Sequence, residues 1–327
     1  MNTPSRREFI LQGLTAAGGA LIGNQAFAEA SPAAAAPKLP ASETLVTTLY
    51  KSLNEAQRTE LCFPYEHKLR GKVDNNWHIT PKRIDQVLDK DQQAMVREAF
   101  DKLHSDEYKG KVWEQFDADN QGDGGFGSAS IALFGEPGTG KFQFVLTGRH
   151  CTRRADGDSL EGTAFGGPIF YGHAAKSFNE DPTHEGNVYW YQAKRANEVF
   201  AALDGKQREL ALVDNLRGEQ GNNTVKLSGK KSGLDGIPVG ALSADQKDLV
   251  RKVLSDLLLP FRKEDAAESM KLIEKNGFDT LHMAFSKNHD LGNDGVWDVW
   301  QIEGPAMIWY FRGAPHVHCW AHIKDTA

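Results

Sequence analysis

The chain has 327 residues, a formal charge of −6 at neutral pH and three cysteines, Cys62, Cys151 and Cys319. A mildly acidic surface excludes nucleic acid as an expected partner, because phosphate backbones reward grouped Lys and Arg. The wide cysteine spacing fits no zinc-knuckle pattern, and an odd number leaves at least one thiol over.

In chain order, Ser5-Arg6-Arg7-Glu8-Phe9-Ile10 precedes an apolar run over 11–23 and a small-x-small site, Ala26-Phe27-Ala28. This pattern predicts a twin-arginine signal peptide over 1–28. The expected partner is then the twin-arginine translocase, and the expected location is the periplasm or the exterior. The apolar run is too short to remain as a transmembrane anchor, which takes roughly 20 residues. Residues 29–42 are rich in Ala and Pro and read as a linker. Residues 43–327 show no evident internal repeat or second linker and are expected to form one domain.

Apolar spacing predicts helices over 43–61, 91–104, 187–200, 207–213, 246–259 and 265–275. Alternation and aromatic residues predict strands over 128–134, 142–149, 167–173, 279–285, 297–302, 306–311 and 314–322. Helices around an antiparallel sheet give an α+β fold. Residues 135–141 match most of a phosphate-binding loop. However, Phe142 stands where Ser or Thr should hold magnesium and the next segment is strand-like, so a hairpin turn is expected. Residues 218–240 read as a surface loop.

Four stretches carry a family resemblance. They are Phe63-Pro64-Tyr65 with Trp77-His78-Ile79-Thr80-Pro81; Gly148-Arg149-His150; Gly167-Pro168-Ile169-Phe170-Tyr171-Gly172; and Ile302-Glu303-Gly304-Pro305 leading to His316-Val317-His318-Cys319-Trp320. In this order the chain resembles the exported bacterial family known as domain of unknown function 3500. It departs at Arg149, where the family typically has His, and at Cys319 and Ala321, where it usually has Ser and Arg. No settled activity comes with the resemblance. It implies that the His150 and His316–His318 stretches belong to one design.

Alternation along 314–322 puts His316, His318, Trp320 and His322 on one face. If the strand ending at His150 is a neighbour, His150, His316 and His318 converge. Three neutral imidazoles suit copper or zinc, and an open fourth position would be catalytic. The expectation is therefore a metalloenzyme, a copper oxidoreductase or a zinc hydrolase, acting on a small molecule or saccharide. His78 and His173 are the next candidate ligands. Glu303 and Asp325 are candidate orienting or base residues. The competing reading is a non-catalytic binding or structural protein with packed histidines. His67, His104, His184, His282 and His289 are expected at the surface, and Trp77, Trp300, Trp309 and Trp320 in the core. Arg149, Arg153 and Arg154 read as a solvated strand end, or as a grip on an acidic group. The same strand pairing would bring Cys151 and Cys319 together on the opposite face.

Overall fold

The computed structural model describes residues 41–157, 159–173, 188–214, 216–290 and 292–326. The expected signal segment and His184 lie outside them. Helices α1 (Ala41–Ser52) and α2 (Glu55–Leu61) lead into β1 (Cys62–Phe63). After α3 (Ile84–Val87), α4 (Lys90–Asp101) and α5 (Lys109–Asn120) comes a meander of β2 (Ser130–Gly135), β3 (Phe142–Gly148), β4 (Cys151–Ala155) and β5 (Ile169–His173). Helices α6 (Trp190–Ala201) and α7 (Gly205–Ala211) then lead into β6 (Leu212–Val213). After β7 (Ile237–Pro238), α8 (Ala244–Leu258) and α9 (Lys263–Asn276) comes a second meander of β8 (His282–Ser286), β9 (Val299–Glu303), β10 (Met307–Arg312) and β11 (Val317–Ile323). The result is the expected α+β architecture around one mostly antiparallel sheet.

The sheet order is β1-β2-β3-β4-β5-β11-β10-β9-β8-β6, with β7 on β8. Only β1 on β2 and β6 on β8 are parallel. This order reads the same from both ends. Each half runs helix, helix, short strand, helices, then a four-strand meander. The two meanders join where β5 and β11 pair antiparallel, with Tyr171 opposite Cys319.

The sequence carries the same duplication, contrary to the expectation of no repeat. Leu53-Asn54-x-x-Gln57-Arg58 returns as Leu203-Asp204-x-x-Gln207-Arg208, and Leu88-Asp89-x-Asp91-Gln92 as Leu242-Ser243-x-Asp245-Gln246. Asn54, Asp204, Asp89 and Ser243 all cap helices in reciprocal boxes with those glutamines. Gln57 Nε2 donates to Gln92 Oε1 at 2.7 Å in one half, and Gln246 Nε2 to Gln207 Oε1 at 2.8 Å in the other. Arg58 lies over the Tyr50 ring and Arg208 over the Phe200 ring. The capping signature was legible, but the hydrophobic positions around it differ enough to hide the repeat.

Three local expectations change. The helix expected over 43–61 breaks at Leu53–Asn54, because Asn54 takes extended backbone and accepts the Gln57 N–H. Helix α5 was not foreseen: it is weakly amphipathic and contains Gly110, a poor helix former. The strand expected over 142–149 stops at Gly148, and Arg149–His150 form a two-residue turn into β4. Residues 135–141 do form a hairpin turn, with Gly135 and Gly138 at positive φ.

The sheet's two faces differ. Tyr171, Cys319, Phe311 and Trp300 form a register row on the face that carries the main core with α6, α8 and α9. Phe170, Trp320, Tyr310 and Ile308 face the other way, onto Val73 and Val225 from loops. Trp300, Trp309 and Trp320 are buried as expected, and Trp77 only partly so.

Candidate metal centre

His150 sits in the β3–β4 turn and His318 on β11, with His316 just before it. His150 has φ 51°, a left-handed conformation uncommon for a side-chain-bearing residue and less so for His. Its backbone N–H donates to Asn76 Oδ1 at 3.0 Å, which fixes the turn.

The three rings meet at Nε2. His150 Nε2 lies 3.2 Å from His316 Nε2, which lies 2.9 Å from His318 Nε2. Ring centroids stand 5.0, 5.1 and 4.6 Å apart, close to an equilateral triangle. Nitrogens about 2.0–2.1 Å from one zinc ion at tetrahedral angles would be roughly 3.3–3.4 Å apart. His150 and His318 are buried, and His316 is partly exposed.

The opposite nitrogens are held by carboxylates. His150 Nδ1–H donates to Asp119 Oδ2 and His318 Nδ1–H to Glu219 Oε1, both at 2.7 Å. Gln115 Nε2 also donates to Asp119 Oδ2 at 2.6 Å. Trp320 Nε1 donates to Glu219 Oε1, and Arg312 Nη1 to Glu219 Oε2, each at 2.8 Å. With Nδ1 protonated, neutral imidazoles of His150 and His318 turn Nε2 lone pairs inward. His316 can offer at most one proton to the two of them. Three nitrogens this close, with a proton for one contact only, form a group that could hold a metal ion. Burial, then the other two histidines, hold His316 down to about 3. Burial holds His318 down to about 4, against the opposing pull of Glu219. The burial that would raise Glu219 is outweighed by His318, Trp320 and Arg312, so its carboxyl lies below the usual range. His316 and His318 thus present neutral imidazoles, with the ionised Glu219 behind His318, as metal ligation needs.

The strands bearing these histidines are not neighbours, contrary to expectation: β5 lies between β4 and β11. The rings still converge across β5, which places Gly172 in register with His318. A Cβ there would collide with the Val317 carbonyl and press His318 Cδ2 at 3.3 Å. Because β5 intervenes, the expected cysteine contact fails. Cys151 and Cys319 both register on Tyr171, from opposite sides. They share a face as expected but stand two strand spacings apart, roughly 9–10 Å, beyond disulfide reach. Both thiols are free and buried.

The other candidates lie elsewhere. His78 is exposed and hydrogen-bonds the Ser128 carbonyl. His173 is buried at the end of β5, opposite Val317, on the main-core face. Glu303 pairs with Arg217, four residues along β9 from Val299, the residue in register with Arg312. Asp325 pairs with Lys275 and Asn276 past the far end of β11. Neither carboxylate joins the three-histidine group. Asp119 and Glu219 orient its rings instead. Asp119 rides on the unforeseen α5, and Glu219 sits in a segment that composition marks as solvent-facing, so sequence offered no signal for either.

Arg153 and Arg154 are buried and donate to main-chain carbonyls, so they are neither a solvated end nor an anion grip; Arg149 is exposed. His104 and His282 are buried rather than at the surface. His104 Nε2 accepts from Arg153 Nε at 3.1 Å.

Fold and site define an α+β protein of two pseudo-equivalent half-sheets, with a three-histidine group that could hold a metal ion. The chain belongs to the family described as "Protein of unknown function (DUF3500)", which matches residues 38–324. No curated protein and no solved structure matches it. No described helix is long and apolar enough to cross a membrane.

Proposed function

We propose that the protein is an exported metalloenzyme in which His150, His316 and His318 hold one zinc ion, acting hydrolytically on a small molecule or saccharide. One observation carries this reading: three Nε2 atoms converge while carboxylates hold the Nδ1 atoms of two of the rings. The near-equilateral ring arrangement favours tetrahedral zinc over the tetragonal geometry of copper(II). His150, His316 and His318 would hold the ion with a fourth position free, and zinc there would supply a water acidic enough for hydrolysis near neutral pH. His316 is the partly exposed ligand, so solvent and substrate approach from its side. Asp119 and Glu219 act as positioning residues. The expected twin-arginine signal would fit this reading, since that route exports folded proteins and permits metal loading beforehand.

Elemental analysis of protein matured through its own export route tests the proposal. One equivalent of zinc in the wild type, lost in His318→Ala, is the expected result. Copper in its place would redirect the chemistry to oxidation and reduction. Protein that neither contains nor takes up metal, and melts alike with and without chelator, would return the histidines to a packing role.

A further inference from the structure

The palindromic sheet has two poles at the β5–β11 junction. The histidine group occupies one, where β11 begins. At the other, where β5 begins and β11 ends, lies a cavity of about 530 Å³. Its wall comes from separate places in the chain: residues 70–71, 143, 160, 163, 166–168, 222–223, 225–227, 322 and 324.

In an acidic protein this wall is basic. Arg70, Lys226 and Lys324 line it, and no described lining residue is acidic. Lys226 and Lys324 make no ion pair among the described residues; Arg70 lies 3.8 Å from the exposed Glu66, donates Nε to the Tyr65 carbonyl at 2.7 Å and covers the Tyr65 ring. Arg154 lies buried behind Gly167, where a Cβ would lie 3.5 Å from its side chain; its N–H groups go to main-chain carbonyls, so it adds positive charge to the wall but no contact with a ligand. Asp156, behind Gly166, accepts the Leu160 N–H. His322, a lining residue, donates from Nδ1 to the Val225 carbonyl at 3.1 Å, which leaves its Nε2 as an acceptor. Burial, then Arg154 and Lys324, hold His322 down to about 4, so this acceptor persists at neutral pH. Leu160 and Pro168 supply apolar wall.

We infer that this cavity binds a small hydroxylated organic anion, of the sugar-acid or sugar-phosphate class. Arg70, Lys226 and Lys324 meet its charged group, and His322 Nε2 accepts from a hydroxyl. The inference is independent of any metal.

Calorimetric titration of the purified protein with gluconate, glucose 6-phosphate, inorganic phosphate and uncharged sorbitol tests it. Saturable binding of at least one organic anion, weakened by salt and absent for sorbitol, is expected. The Lys226→Gln/Lys324→Gln variant changes exposed side chains only and should lose about tenfold or more in affinity. His318→Ala and chelated protein should bind the anion unchanged, which separates this site from the histidine group. No binding of either organic anion at millimolar concentration, equal affinity in the double variant, or loss of binding with the metal would each overturn the inference. Inorganic phosphate binding as tightly as glucose 6-phosphate would overturn its organic part.

Discussion

His150 combines a ligand's side chain with a turn's backbone, and substitutions separate the two. Asn tolerates its φ of 51°, whereas a β-branched residue there costs about 1–2 kcal/mol in backbone strain. His150→Asn and His150→Val should both lose bound metal, and chelated His150→Val should be the less stable in urea. Glu219→Gln and Asp119→Asn keep shape but weaken the acceptors behind the rings. Each should lower metal affinity roughly ten- to a hundredfold, measured by competition with a chromophoric chelator. Gly172→Ala should disturb the same site without touching a ligand. Its methyl group collides with backbone, so a loss of about 1–3 kcal/mol in stability is expected together with weaker metal binding.

At the scale of elements, the duplicated caps make a paired experiment. Asn54→Ala and Asp204→Ala each remove the side-chain acceptor of a reciprocal capping box. Each should cost about 1 kcal/mol. The Gln57–Gln92 contact is buried, while the Gln207–Gln246 contact is only partly so. Asn54→Ala should therefore be the costlier of the two in denaturant unfolding. Equal costs would mean that the caps act locally and the glutamine pairs add nothing.

For the whole molecule, buried neutral histidines set the acid limit. Burial lowers His322 to about 4 and His104 well below the ordinary value. The unfolded chain takes up these protons near pH 6.5 and the folded chain does not. The unfolded state therefore binds more protons between pH 6.5 and about 4, and acid favours unfolding. Stability from these groups is fully present above pH 6.5 and falls as pH drops, by at most about 3 kcal/mol for His322. His316 and His318 shift the same way. Urea midpoints of chelated protein from pH 7 to 4 should decline, and the slope should be shallower in His322→Gln.

Sequence by itself determined the elements with strong local signals. The α+β class, the hairpin at 135–141 and the helix capped by Ser243 follow from periodicity, turn residues and capping boxes. The side-by-side placement of His316 and His318 is local too, since strand geometry puts i and i+2 on one face. Tertiary structure decided what depends on distant segments. His150 reaches the other two across an intervening strand, whose Gly172 leaves His318 its room. Asp119 and Glu219 reach the rings from a weakly amphipathic helix and a polar loop, and neither segment announces burial in its own composition. Cys151 and Cys319 share a face by alternation, but the intervening β5 keeps them apart, because strand order is a property of the assembled sheet. The duplication lay between these cases: its caps stood in the sequence, and only the palindromic order of strands showed that they mark equivalent halves.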